Sequence, residues 1–174
     1  FSDGDNTGTV TINLDSAVDS TSVTVDLQSN EVSDLNSNTQ TSGSATAENM
    51  DGAPPSISGA TIEGDAPLSN GETVTVYATV NDDGAGVDTV TADMSAFGAS
   101  SDVTLNSETT EGYDFDGDDN ENSDVYGATV TLDDSETTSG SQSATVTAAD
   151  MANDPNTAEP AETNPLEVDI DDPT

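Results

Sequence analysis

The chain has 174 residues, with 25 aspartates and 11 glutamates set against no lysine, arginine, histidine or cysteine, so its formal charge is −36. Nucleic-acid binding needs a basic footprint, and phosphate, nucleotide and polybasic membrane-surface recognition use Lys or Arg, so these partners are excluded. Schiff-base, Ser-His-Asp and Cys-His chemistry, Cys/His zinc, haem and iron–sulfur sites and disulfides go with them, which leaves carboxylates, hydroxyls and backbone. No apolar run approaches the ~18 residues of a membrane helix, so no membrane contact is expected within this segment, and no signal peptide is visible.

Val, Ile, Leu and Phe number 29 of 174, below the ~20% at which a highly charged chain is expected to be disordered. An acidic disordered tail is therefore the competing reading, and the hydrophobic pattern argues against it. In chain order, Val10-Ile12-Leu14, Val23-Val25-Leu27, Val74-Val76-Ala78-Val80, Val90-Ala92-Met94, Tyr126-Ala128-Val130-Leu132, Ala144-Val146-Ala148 and Leu166-Val168-Ile170 alternate with Thr, Asp, Ser or Asn. Period-two alternation is the pattern of half-buried strands, and Gly, Asn, Asp and Pro punctuate the gaps. No segment has sustained helical periodicity. The fold class is all-β. Phe97 reads as a core plug, and Tyr77 falls on the outward phase.

An internal repeat organises the chain. Phe115-Asp116-Gly117-Asp118 followed by Gly127–Leu132 echoes Phe1–Asp5 followed by Gly8–Ile12, Ser143–Thr147 echoes Ser22–Val25, and Ile170–Thr174 parallels Met50–Pro54. The offset is near 120 residues throughout. Residues 1–50 then supply the last three strands of a partial domain that needs strands from elsewhere, 51–55 form a linker, and 53–172 form a complete domain. Within it, strands are expected at 57–62, 72–80, 87–94, 101–106, 125–132, 142–149 and 164–170. Seven short strands over about 120 residues suit an immunoglobulin-like sandwich.

Four motifs in this stretch carry a family resemblance: Ala53-Pro54-Pro55-Ser56-Ile57, Gly71-Glu72-Thr73-Val74-Thr75-Val76, Asn81-Asp82-Asp83-Gly84-Ala85-Gly86-Val87 and Ala144-Thr145-Val146-Thr147-Ala148-Ala149-Asp150. Together they resemble prokaryotic Ig-like surface repeats. The chain departs from that pattern at Met151–Pro155, where the usual Gly-Asn turn is replaced. The resemblance implies tandem immunoglobulin-like β-sandwiches, one complete and one partial, in S-layer, stalk or adhesion proteins of haloarchaea. The charge agrees: the Debye length is about 8–10 Å at ordinary ionic strength and about 3 Å at molar salt, where carboxylate repulsion is largely screened.

Up-and-down threading of such a sandwich gathers the acid-rich loops at one pole. Asp82, Asp83 and Asp88 lie in one loop, Asp114, Asp116, Asp118, Asp119 and Asp124 in a second, Asp150 and Asp154 in a third, and Asp51 in the preceding linker. Calcium takes six to eight oxygen ligands, and magnesium fewer, so these residues are the candidate metal ligands. Asp114-x-Asp116-x-Asp118 has calcium-loop spacing, although Asp119 and Val125 depart from the EF-hand pattern. Asp51, Asp82 and Asp154 form a candidate junction site. Hydrated acidic surface is the plainer alternative for all of these residues, and Asp82 also suits an Asx turn.

The function expected from the residues together with the resemblance is a non-enzymatic structural segment of an extracellular cell-surface assembly, partnered by copies of itself or by neighbouring domains in a lattice or filament. An adhesion or ligand-binding module and a donor-strand-assembled pilus subunit are the alternatives. Paired carboxylates could serve glycoside hydrolysis, but six aromatic residues suggest no lined cleft. No N-x-Ser/Thr sequon occurs among 14 asparagines, so N-glycosylation is not expected within the segment. The Thr-rich stretches Ser107–Thr110 and Thr137–Ser139 are candidates for O-glycans.

Overall fold

The computed structural model describes residues 22–27, 43–48, 51–111, 114–120, 122–133, 137–152 and 154–170. Strand accounts for 49% of them and helix for 5%. The expected strand at Val10–Leu14 and both ends of the repeat comparison, residues 1–12 and 171–174, lie outside the described residues. From the first fifty residues, β1 (Ser22–Leu27) and β2 (Gly43–Glu48) form an antiparallel pair, with Val23 opposite Ala47 and Val25 opposite Ala45.

Ten strands follow: β3 (Ser56–Glu63), β4 (Thr73–Asn81), β5 (Val87–Asp93), β6 (Val103–Thr104), β7 (Asn106–Ser107), β8 (Val125–Thr131), β9 (Gly140–Gln142), β10 (Thr145–Asp150), β11 (Ala161–Glu162) and β12 (Leu166–Val168). They form a sheet of order β3-β4-β8-β7, a sheet of order β11-β10-β5-β6 and the pair β12-β9. Every paired strand is antiparallel. Among the described residues, a single parallel bridge joins Leu68, between β3 and β4, to Val168 of β12.

Alternation builds the core directly. Val74, Val76, Ala78 and Val80 of β4 face inward, as do Val90 and Ala92 of β5 and Val146 and Ala148 of β10, and one buried cluster contains them all. Burying an aliphatic side chain contributes about 1.5–3 kcal/mol. The short threonine-rich strands thus reach an ordered core with few large residues. Phe97 plugs into this core as expected, at 0% exposure, from a single 3-10 turn over Ser95–Phe97. Gly98 closes that turn at φ 74°, and a Cβ there would run into the Asp133 carbonyl and the Thr137 hydroxyl, so glycine is required.

Two of the expected strands, 101–106 and 142–149, are each split in two, and a short unexpected strand, β11, precedes the expected 164–170 strand, of which β12 is the paired part. In 101–106, the chain pairs first with β5 through β6 and then with β8 through β7, changing sheets at the buried Leu105, whose N–H donates to Val90 O at 2.9 Å. In 142–149 and 164–170, β9 pairs with β12 and β10 with β11, on either side of Ala144 and Thr163. There the Thr163 hydroxyl accepts Ala144 N–H at 3.0 Å in place of a ladder bond. Period-two alternation continues across a sheet change, because the inward face stays inward.

Candidate metal centres

Among the described residues, the acidic loops converge as two separate groups rather than one. In the first, Asp51, Asp82 and Asp150 bring one carboxylate oxygen each to within 4.8 Å of one another. Asp51 lies just before β3 and is buried at 6% exposure. Its carboxylate accepts Ala53 N–H at 2.8 Å and Ala85 N–H at 2.9 Å, and its carbonyl accepts the Asn156 side-chain amide at 3.0 Å. Asp82 follows β4 and accepts Gly86 N–H at 2.6 Å, four residues on, a wider closure than the Asx turn expected of it. Gly86 takes φ 88°, which lets the loop close.

Asp150 is 0% exposed because it continues the inward phase of Val146 and Ala148 at the end of β10. One of its oxygens accepts the N–H groups of Ala152 and Asn156 at 3.0 and 2.9 Å, and the other accepts the Asn156 amide at 2.7 Å. Burial pushes the Asp82 carboxyl above the usual carboxylate range, the N–H groups of Gly86 and Gly84 oppose the shift, and the charges of Asp51 and Asp150 add to it. The chain has no cationic side chain, so the repulsion within the trio has no internal counterion.

The second group is Glu108, Asp114 and Asp116, again within 4.8 Å. Glu108 opens a single helical turn, α1 (Glu108–Glu111), and is 0% exposed. Its two oxygens accept Phe115 N–H at 2.7 Å and Asn122 N–H at 2.9 Å, so one carboxylate holds both ends of the acidic loop. Asp114 accepts the N–H groups of Gly117, Asp118 and Asp119 at 2.7, 3.1 and 2.9 Å. Gly117 and Asp119 both take positive φ, 76° and 64°. The loop folds back over β8, and a Cβ on Gly127 would overlap the Phe115 ring, so the glycine makes room for it.

Glu108 is absent from the ligands expected from sequence, where Ser107–Thr110 reads only as a Thr-rich stretch. Nothing local marks it, because its partners are 7 and 14 residues away. Desolvation raises Asp116, with the charges of Asp118, Glu108 and Asp114 adding to it and the Asp118 N–H opposing it.

The other candidate carboxylates belong to neither trio. Asp118 accepts Asn120 N–H at 2.8 Å and the Asn122 amide at 3.2 Å, and these bonds lower its carboxyl. Asp124 is half-buried and accepts Val80 N–H through its carbonyl at 2.8 Å. Asp88 and Asp154 are exposed, and at the junction Asp150 stands where the sequence reading placed Asp154. Asp83 is exposed on a small cleft of about 150 Å³, shared with Ala53, Pro54, Ser56, Asn81 and Asp82, that opens beside the first trio. Tyr77, half-buried on the outer face, donates to Glu63 at 3.0 Å.

Each carboxylate offers about four lone-pair sites, so the trios retain acceptor capacity after their hydrogen bonds. Their chemistry fits a hard, oxygen-binding cation. Among the described residues no helix is long and apolar enough to cross a membrane, which says nothing about membrane β-barrels. The chain matches no protein-family model, no curated protein and no solved structure.

Proposed function

We propose that this chain is a non-enzymatic structural segment of an extracellular surface assembly of a halophilic archaeon. It is built from immunoglobulin-like sandwiches whose entry point is stiffened by a divalent cation. Sheet orders β3-β4-β8-β7 and β11-β10-β5-β6 support the immunoglobulin-like assignment, because they reproduce the four-plus-three strand arrangement of that fold with one short added strand. The acidic composition and the internal repeat support the halophilic, arrayed setting.

The observation that carries the reading is the placement of Asp51, Asp82 and Asp150. Three carboxylates, two of them buried, meet where the chain enters the sandwich, with no cationic side chain anywhere to balance them. A calcium ion, or magnesium as the alternative, held by these residues would tie the incoming segment to the loops after β4 and β10. It would supply charge neutralisation and no reaction. The test is sedimentation of the full chain in molar sodium chloride, with calcium or with chelator. Calcium-dependent self-association is expected, and a monomer under every condition removes the assembly reading.

A specific observation favours a second reading, adhesion. A groove of about 660 Å³ runs between Glu63-Gly64-Asp65 and Asp114-Phe115, over Thr73, Thr75 and Thr129. Its acceptor-rich walls and one aromatic ring suit a hydroxyl-bearing ligand such as a glycan. Glycan binding lost on Phe115→Ala would favour it.

A further inference from the structure

The geometry points to a tension-bearing staple between the first and last segments of the sandwich, with Asn164 as its positioning residue. This rests on the structural reading above and names the part that carries the load. β3 begins beside Asp51 and runs away from the entry pole. β10 runs toward that pole, ending at Asp150, and β12 pairs antiparallel with β9 and leaves at the opposite pole. The incoming and outgoing segments therefore leave the sandwich from opposite ends.

Two ties join these segments. The Asn164 amide takes the place of a neighbouring strand for Ile62: its oxygen accepts Ile62 N–H at 2.9 Å and its nitrogen donates to Ile62 O at 3.0 Å, across 102 residues. Further along, Leu68 N–H donates to Glu167 O at 2.9 Å and Asp169 N–H donates to Leu68 O at 2.8 Å. The second tie is the parallel bridge, and its direction decides the mechanics. Segments that run in parallel and are pulled from opposite ends must slide past one another, so their hydrogen bonds are loaded together. In an antiparallel pair pulled from one end, the bonds would open in turn. Traction arriving upstream reaches Asp51 first, where Ala85 and Asn156 hold it, and then passes along β3 to the staple.

Asn164 also seals the outer edge of β3 at Ile62, and a register shift between Ser58 and Thr61 interrupts the same strand. Both features keep an edge strand from recruiting a foreign strand, so the load stays within the domain.

The experiment is single-molecule stretching of the full chain in molar salt, in two geometries. One pulls on the two ends. The other pulls on the C-terminal end and on a handle at Ser69→Cys, unique because the chain has no cysteine, which peels Leu68 from β12. A higher unfolding force between the ends than in the peeling geometry is expected. Asn164→Ala should speed end-to-end unfolding at a given force on the order of tenfold, about 1.4 kcal/mol, for two hydrogen bonds of modest net worth. It should leave the first rupture in the peeling geometry unchanged. Equal forces in the two geometries, or an end-to-end force indifferent to Asn164→Ala, overturn the staple.

Should Asn164→Ala not fold, Asn164→Asp keeps the acceptor for Ile62 N–H and removes the donor, and the comparison of geometries on the native chain needs no variant at 164. Directional resistance in a chain that never self-associates upholds the staple while removing the array. Self-association without directional resistance does the reverse.

Discussion

Replacing Asp82 by asparagine should change stability with opposite signs in the absence and presence of calcium. The side chain keeps its size and can still accept Gly86 N–H, so the charge is the main quantity altered. Oxygens of the trio lie within 4.8 Å of one another. At that separation two unit charges repel by about 3.5 kcal/mol at an effective dielectric of 20 and about 0.9 kcal/mol in bulk water. Asp82 is half-buried beside two buried partners, so the outcome lies toward the lower figure, and two of the three repulsive pairs disappear. Molar salt screens part of even this, so in chelator and molar sodium chloride Asp82→Asn should stabilise the protein by about 0.5–1 kcal/mol, a rise of a few degrees in Tm.

Calcium reverses the order. An ion bound only by the folded native chain adds about 2.7 kcal/mol at a hundredfold excess over Kd. The variant, short of one carboxylate, should gain less than about 1 kcal/mol at the same concentration. The assay is thermal melting at constant ionic strength, with calcium exchanged for sodium. If the variant is less stable than the native chain in chelator, the repulsion argument is wrong. If its calcium gain equals the native one, the ion is not held by Asp82.

Asp82 also sets a pH dependence. A carboxyl raised in the folded state favours its protonated form there, so without divalent ions stability should increase as pH falls through the window above the ordinary Asp value of about 3.9. The difference between native and Asp82→Asn melting curves isolates this increment, and a difference independent of pH would refute it. Glu108→Gln keeps one acceptor of two, so amide exchange at Phe115 or Asn122 should accelerate at a cost of about 1–3 kcal/mol, while exchange in β5 and β10 stays unchanged. Phe97→Ala leaves a cavity in the core and should cost about 3–5 kcal/mol in denaturant melts; a cost below 1 kcal/mol would mean the site is not packed as described. Dilution from molar salt to ~0.1 M should lower Tm, as the Debye length grows from about 3 to about 10 Å. Sodium and potassium chloride should rescue it equally.

Much of the strand layout is legible in the residues because alternation is a local property. Thr73–Asn81 and Val125–Thr131 lie within one or two residues of the expected spans, and Phe97 is the expected plug. Exceptions to alternation are informative too. Gly127 sits on the outer phase of β8, opposite Tyr77, yet is buried, because Phe115 from a loop twelve residues earlier lies over it. No pattern within β8 announces that cover.

For the candidate sites, residue type was readable and grouping was not. An acidic chain without a single cation marks its loops as candidate hard-cation ligands at once, and Asp150 carries a further mark, an aspartate on the inward phase of Ala144, Val146 and Ala148. Which carboxylates meet depends on sheet order, on the register shift between Ala149 and Asp150, and on the path of a loop that folds over a sheet face instead of standing at the pole. Glu108 and Asn164 become organising residues through partners 7, 14 and 102 residues away. Alternation reports which side of a strand is dry. It carries no information about which distant backbone a polar side chain will meet, and that pairing exists only once the sheets have closed over their core.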